Sequence, residues 1–114
     1  MKKQLIVAKI GEKEYKFGLP NATSIERLEE IGFNIEEMSK TPLKQTINLF
    51  YGGLLYAYPE MKREEAVELF NTIMEDENSD ISQITQFLMQ QFTDFFNAQT
   101  GSKKNAEKYP IINI

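Results

Sequence analysis

The chain has 114 residues and contains no cysteine, no histidine and no tryptophan. Without cysteine there is no disulfide, no thiolate nucleophile and no cysteine-ligated zinc. Without histidine as well, neither a Ser-His-Asp triad nor an ordinary zinc site can be assembled. Long apolar runs are missing too. The longest is Leu5-Ile6-Val7-Ala8, which is strand length and far short of the ~20 residues that span a bilayer. Met1-Lys2-Lys3 is not followed by an apolar core with a small-residue cleavage site, so no secretory signal is expected and the chain reads as cytoplasmic. The six glycines fall into no phosphate-binding pattern.

The acids that remain offer little chemistry. Glu29/Glu30, Glu36/Glu37 and Glu64/Glu65/Glu68 are paired carboxylates on polar helix faces. Acid–base work would need a pocket that drives their pKa values apart. Asp76, Asn78 and Asp80 match the first three ligand positions of a calcium loop, but Ile81 stands where the loop needs Gly and Phe87 where it needs Glu. The segment therefore reads as an interhelix loop with a capping Ser79 or Asp80. No catalytic residue, cofactor or metal is expected, and the chain is not read as an enzyme.

What is present is the composition of a folded domain. Hydrophobic residues make up 41%, with eight Phe, too many for a disordered chain. A chain of this size hides roughly two thirds of its unfolded surface, enough for one modest core. A single globular domain over residues 1–100 is expected, with residues 101–114 as a flexible C-terminal tail. Charge is unevenly spread. Residues 1–25 carry five Lys and two Glu, residues 26–99 five Lys or Arg and fourteen Asp or Glu, and residues 100–114 three Lys and one Glu, so the segments stand at +3, −9 and +2. A body at −9 repels a phosphate backbone, so nucleic acid is not an expected partner; nor is a membrane. The acidic faces read as solvated helix surface, or as steering toward a basic partner.

The order of patterns predicts an α+β fold: an N-terminal β-hairpin at about residues 4–19, then a mostly helical body of four to five helices. Leu5 to Ile10 is rich in β-formers, and Tyr15, Phe17 and Leu19 alternate with Glu14, Lys16 and Gly18. Gly11 supplies the turn. A lone hairpin is marginal, so its apolar face must cover the helices or another subunit. Thr23 with Glu26 reads as a capping box, Ile25, Leu28 and Ile31 form a stripe, and Gly32 ends that helix. Asn34 with Glu37 repeats the signal for a short turn carrying Ile35 and Met38. Thr41-Pro42 opens a helix to about Tyr58, with Leu43, Ile47, Phe50, Tyr51, Leu54, Leu55 and Tyr58 on one face. Gly52-Gly53 interrupts it, either for close helix packing or as a bend or slot for a partner. A further helix runs from Lys62 or Arg63 to about Glu75, and a last one from Ser79 or Asp80 to about Asn97. The last helix carries Ile81, Ile84, Leu88, Phe92 and Phe95, with Phe87, Met89 and Phe96 at or beyond the stripe's edge. That is more apolar cover than one buried face needs. Met38, Met61, Met74 and Met89 sit near stripe edges, where flexible thioethers suit either a core rim or a tolerant binding surface. Tyr56 falls off its stripe and is expected to be exposed. Gly101-Ser102-Lys103-Lys104-Asn105 reads as a polar exit, and Tyr109-Pro110-Ile111-Ile112-Asn113-Ile114 as an extended apolar tag.

Several of these stretches together resemble the small tail assembly chaperones of long-tailed, non-contractile (siphovirus-type) phages and prophages of Gram-positive bacteria. They are Lys9-Ile10-Gly11-Glu12-Lys13-Glu14-Tyr15-Lys16-Phe17, Ser24-Ile25-Glu26-Arg27-Leu28-Glu29-Glu30-Ile31-Gly32, Leu49-Phe50-Tyr51-Gly52-Gly53-Leu54-Leu55-Tyr56-Ala57, the Pro59 breaker, and Lys62-Arg63-Glu64-Glu65-Ala66-Val67-Glu68-Leu69-Phe70. The likeness covers about residues 4–97; the apolar ending Ile111-Ile112-Asn113-Ile114 is outside it. The resemblance implies a helper that binds the tape measure protein, keeps its apolar stretches soluble, helps recruit tail tube subunits, and is absent from the mature virion. It also implies a longer frameshifted form of the same protein, with Lys103-Lys104 as a candidate slippery site that the codons for residues 101–105 would decide. A chaperone for a long amphipathic helix needs a tolerant apolar groove. The candidate groove lies between the Pro42–Tyr58 and Asp80–Asn97 helices, with Tyr51, Leu55, Phe92 and Phe96 as anchors and Tyr56 and Met89 beside them. Open hairpin edges make a homo-oligomer a further expectation. The rival readings are a structural tail or head–tail connector component and a small regulatory protein-binding module.

Overall fold

The computed structural model describes residues 5–77 and 79–99. Strands β1 (Ile6–Ile10) and β2 (Lys13–Phe17) form the hairpin, and helices α1 (Ala22–Glu30), α2 (Pro42–Leu55), α3 (Arg63–Glu75) and α4 (Ile81–Gln99) follow, with a 3-10 turn at Ile35–Glu37 between α1 and α2. The fold is α+β, a hairpin followed by a helical body. The polar exit at residues 101–105 and the apolar tag at 109–114 lie outside the described residues.

The hairpin closes through Gly11 and Glu12, with Gly11 at φ 66°. A positive φ at the first of two loop residues is what a type II′ turn requires, and glycine meets it without a Cβ clash. The register pairs Ile6 with Phe17, Ala8 with Tyr15 and Ile10 with Lys13. One face therefore collects Ile6, Ala8, Ile10, Tyr15 and Phe17, which pack into or against the core, while Val7, Lys9, Glu14 and Lys16 are exposed. The inner face docks on α2 and α3. The Gly18 N–H donates to the Gly53 carbonyl at 2.9 Å, and the Leu19 N–H donates to Gln91 Oε1 at 2.6 Å. These bonds tie the strand's exit to both α2 and α4.

The core is built around α2. Phe17, Phe50 and Phe70 meet in tilted and edge-on contacts at 5.0 and 5.4 Å between ring centroids, pairs worth about 0.5–1.5 kcal/mol each beyond their burial. Leu28, Leu49, Leu54 and Leu88 are fully buried around them. Of the two readings of Gly52-Gly53, the structure shows close packing. A Cβ at Gly52 would overlap Leu28 Cδ1 of α1, and one at Gly53 would lie 2.7 Å from both δ-methyls of Leu88 on α4. The two glycines let α1 and α4 press on the α2 backbone at successive positions.

Several local expectations are corrected. The cap of α1 is Asn21, not Thr23. Asn21 Oδ1 accepts from the Ser24 N–H at 3.0 Å, and Ser24 Oγ accepts from the Asn21 N–H at 3.2 Å; a serine at the third helical position can close the box that was assigned to a glutamate. The helical assignment of α2 stops at Leu55, three residues short of Tyr58, although the Tyr58 N–H still reaches the Leu54 carbonyl. Leu43 is 62% exposed, on the side of the first turn of α2 away from the buried Gln45. Conversely, Gln45 and Asn48 are buried. Gln45 Oε1 accepts from the Asn34 N–H at 2.8 Å, and Asn48 Oδ1 accepts from Arg63 Nε at 3.0 Å. Both polar side chains thus pin neighbouring elements to α2.

Candidate protein-binding trough

The C-terminal end of α1 sets the site. Gly32 takes φ 102°, the Gly32 N–H donates to Glu29, and the Phe33 N–H donates to Leu28 at 3.2 Å. This is the Schellman arrangement, which turns the next residue back against the last turn of the helix. Phe33 is accordingly buried. Asn34 then opens the 3-10 turn, its Oδ1 accepting from the Glu36 N–H at 2.9 Å. Ile35, in that turn, is left 43% exposed.

Opposite this corner lies the last part of α4. Phe33 meets Phe92 edge-on at 5.4 Å, Phe92 meets Phe96 at 5.0 Å, and Phe96 meets Phe95 at 5.3 Å. The rings form a continuous aromatic chain. Beside it opens a cavity of about 550 Å³ lined by Glu29, Phe33, Ile35, Phe92, Phe96 and Asn97 among others. A second hollow of about 360 Å³, lined by Ile25, Glu26, Glu29, Phe95 and Phe96 among others, lies on the α1 side. Phe96 and Glu29 border both. Together they make one trough with an aromatic floor and glutamates on the α1 wall. Its size is within the range of pockets that seat apolar ligands and side chains.

The structure brings Phe92 and Phe96 together as expected residues of such a surface, but places the other four elsewhere. Leu55 is buried in the core, and its carbonyl accepts from Arg27 Nη1 at 3.0 Å. Tyr51 is partly buried, and its hydroxyl donates to the Met61 carbonyl at 2.9 Å. Tyr56, expected to be exposed, is partly buried at the end of α2. Met89 is partly buried against the core. None of these four lines the trough. The α2–α4 seam that was the candidate groove is filled at its centre by Leu88 against Gly53, so the open surface lies one helix over, between α4 and the α1 corner. Phe33 and Ile35 were the residues missed. The available signal was an aromatic directly after the Gly32 helix stop, the position where a Schellman turn demands an apolar contact.

A second hollow region follows β1. Ile6, Val7, Ala8, Lys9 and Ile10 line a groove of about 340 Å³ with Ile73, Asp80, Gln83 and Ile84. Consecutive strand residues of both parities border it, so the strand presents its edge there. At its end Asp80 caps α4, accepting from the Ser82 hydroxyl at 2.6 Å and the Ser82 N–H at 3.0 Å. These two bonds, the hydroxyl's first, hold its carboxyl below the usual aspartate pKa. The Ser79 hydroxyl donates to Asp76 Oδ2 at 2.9 Å. The segment is thus an interhelix loop with a capping Asp80. Among the described residues no group of three or more His, Cys, Asp or Glu is placed to hold a metal ion, and no helix is long and apolar enough to cross a membrane.

No curated protein and no solved structure matches the chain. A family model described as "Domain of unknown function (DUF5055)" matches residues 1–109, nearly the whole sequence, and the chain belongs to that family.

Proposed function

We propose that this protein is a tail assembly chaperone of the siphovirus type: a binding protein, not an enzyme, that takes an amphipathic helix of the tape measure protein into the α1–α4 trough. The observation that carries the reading is the trough itself, a chain of edge-packed rings in which Phe92, Phe95 and Phe96 are partly exposed and Phe33 is buried beneath them, beside an exposed Ile35. An amphipathic helix presents apolar side chains at i, i+3, i+4 and i+7, and such a row needs an elongated apolar furrow rather than an enclosed cavity. Aromatic rings give that furrow large contact area without strict shape demands. The glutamates on the wall favour clients with basic residues flanking the apolar stripe. The likeness of residues 4–97 to tail assembly chaperones supports the choice of client.

In this reading the protein works in the bacterial host cytoplasm, holds tape measure stretches apart from one another, helps tail tube protein gather on them, and leaves before the virion is complete. Self-association along the client would use the open edge of β1, and a longer frameshifted form would join the same assembly. The test is coexpression with a tape measure protein. Recovery of soluble tape measure with the tagged protein, and none of an unrelated coiled coil, supports the proposal. Failure to recover tape measure when both chains are expressed and this one is folded refutes it.

A further inference from the structure

The wall of the trough that carries Phe33 and Ile35 is a corner between two helices, and one buried side chain spans that corner. Gln45 of α2 is only 3% exposed. Its Oε1 accepts from the Asn34 N–H at 2.8 Å, where the 3-10 turn begins. Its Nε2 donates to Thr41 Oγ1 at 3.3 Å, and the Thr41 hydroxyl donates in turn to the Glu37 carbonyl, also at 3.3 Å. The run of donors has one direction, so the amide can sit only one way: oxygen toward Asn34, nitrogen toward Thr41. A single side chain therefore grips the corner at both ends, with Ile35 between the two grips.

What the amide holds is what borders the trough. Phe33, Asn34 and Ile35 line the larger cavity together with Phe92 and Phe96. Little else fixes the turn. None of the residues Ile35–Glu37 is buried, and a 3-10 turn this short has poor hydrogen-bond geometry of its own. A methionine at position 45 would fill similar space and suit the buried site, yet it would hold neither end. A buried amide with both halves satisfied is costly to place and specific in what it fixes. Here it fixes the α1–α2 corner, and through it one side of the aromatic furrow.

We infer that Gln45 is the positioning residue of the trough: its amide keeps Asn34 and Ile35 across from Phe92 and Phe96 before any partner arrives. A partner then meets a formed site instead of having to order one. Without the clamp only a fraction of the molecules present the wall at a given moment, and apparent affinity falls by that fraction. The effect on binding rests on the proposed use of the trough by a client helix; the clamp itself does not.

Two measurements on the full chain test this, each made well below the Tm. The first is hydrogen exchange of the Asn34 amide with no peptide present. Gln45→Met should speed it about tenfold, the worth of one hydrogen bond. Tyr51→Phe, which removes the bond to the Met61 carbonyl on the same helix and leaves the trough lining untouched, should not. The second is the affinity for a synthetic amphipathic helix from a tape measure protein. Gln45→Met should weaken it about fivefold, and Tyr51→Phe should leave it unchanged. Thr41→Val, at an exposed position where folding is safe, cuts only the Glu37 end and should weaken it in the same direction but less. Unchanged Asn34 exchange in Gln45→Met overturns the inference. So does wild-type affinity in both Gln45→Met and Thr41→Val, or an equal loss in Tyr51→Phe. If the wild type binds no tape measure helix, the client reading fails, and the exchange at Asn34 alone decides the clamp.

Discussion

Replacing Gly53 with alanine sets two opposing effects against each other. Alanine in a helix interior gains about 1 kcal/mol over glycine in propensity. The new Cβ, however, would lie 2.7 Å from both δ-methyls of Leu88 and 3.2 Å from its Cγ. Leu88 is fully buried, and with both methyls in the way a simple exchange of rotamer does not clear the contact. Overpacking of this kind costs about 1–3 kcal/mol. Gly53→Ala should therefore destabilise by about 1 kcal/mol net, or lower the Tm by about 5 °C for a domain of this size. The sharper measurement is a double-mutant cycle in urea, followed by far-UV circular dichroism. Leu88→Ala alone should cost about 2–5 kcal/mol. In that background the clash is gone, and Gly53→Ala should become stabilising by about 1 kcal/mol. A cost for Gly53→Ala that is equal in both backgrounds would refute the packing of α4 on the α2 backbone.

Three further outcomes are expected. Tyr51→Phe removes the hydroxyl that donates to the Met61 carbonyl and should cost about 0.5–1.5 kcal/mol in the same urea assay. Leu43→Ser, at a position 62% exposed, should change stability by no more than about 0.5 kcal/mol; a larger loss would mean that the Leu43 side chain is covered. Asp80→Ala should lower the Tm at neutral pH by removing the α4 cap. Because the folded state lowers the Asp80 pKa, its stabilisation is present above the unfolded pKa and is lost as pH falls through the folded one. The Tm gap between wild type and Asp80→Ala should accordingly narrow in strong acid, and a gap that widens there would contradict the assigned hydrogen bonds.

The hairpin and all four helices were legible because each carries its own period and its own stop signal. Gly11, Gly32 and Pro42 act locally, and local signals survive in sequence. The errors have a common cause in tertiary contact. Leu43 fits the stripe of α2 by spacing, yet it is 62% exposed while Gln45 in the same turn is buried. Gln45 and Asn48 look like solvent-facing residues, but Asn34 and Arg63 come to them from elsewhere in the chain. The site divides the same way. The excess apolar cover on α4 was visible, and Phe92 and Phe96 do line an open surface. Its other wall had only one local sign, Phe33 directly after the Gly32 stop, and depends on a Schellman turn swinging Phe33 onto α4. Period alone made the long helix α2 the obvious partner for α4; the two glycines that close that seam read equally well as a slot.

The central claim is that the α1–α4 trough is where a client helix binds. It is tested most directly by titrating an isotopically labelled sample with a synthetic amphipathic helix from a tape measure protein and following the amide signals. The prediction is saturable shifts centred on Phe33, Ile35, Phe92 and Phe96, abolished by Phe96→Asp in a variant whose far-UV spectrum and Tm show it folded. Shifts centred on Ile6–Ile10 and Gln83, or binding that Phe96→Asp leaves unchanged, would contradict it.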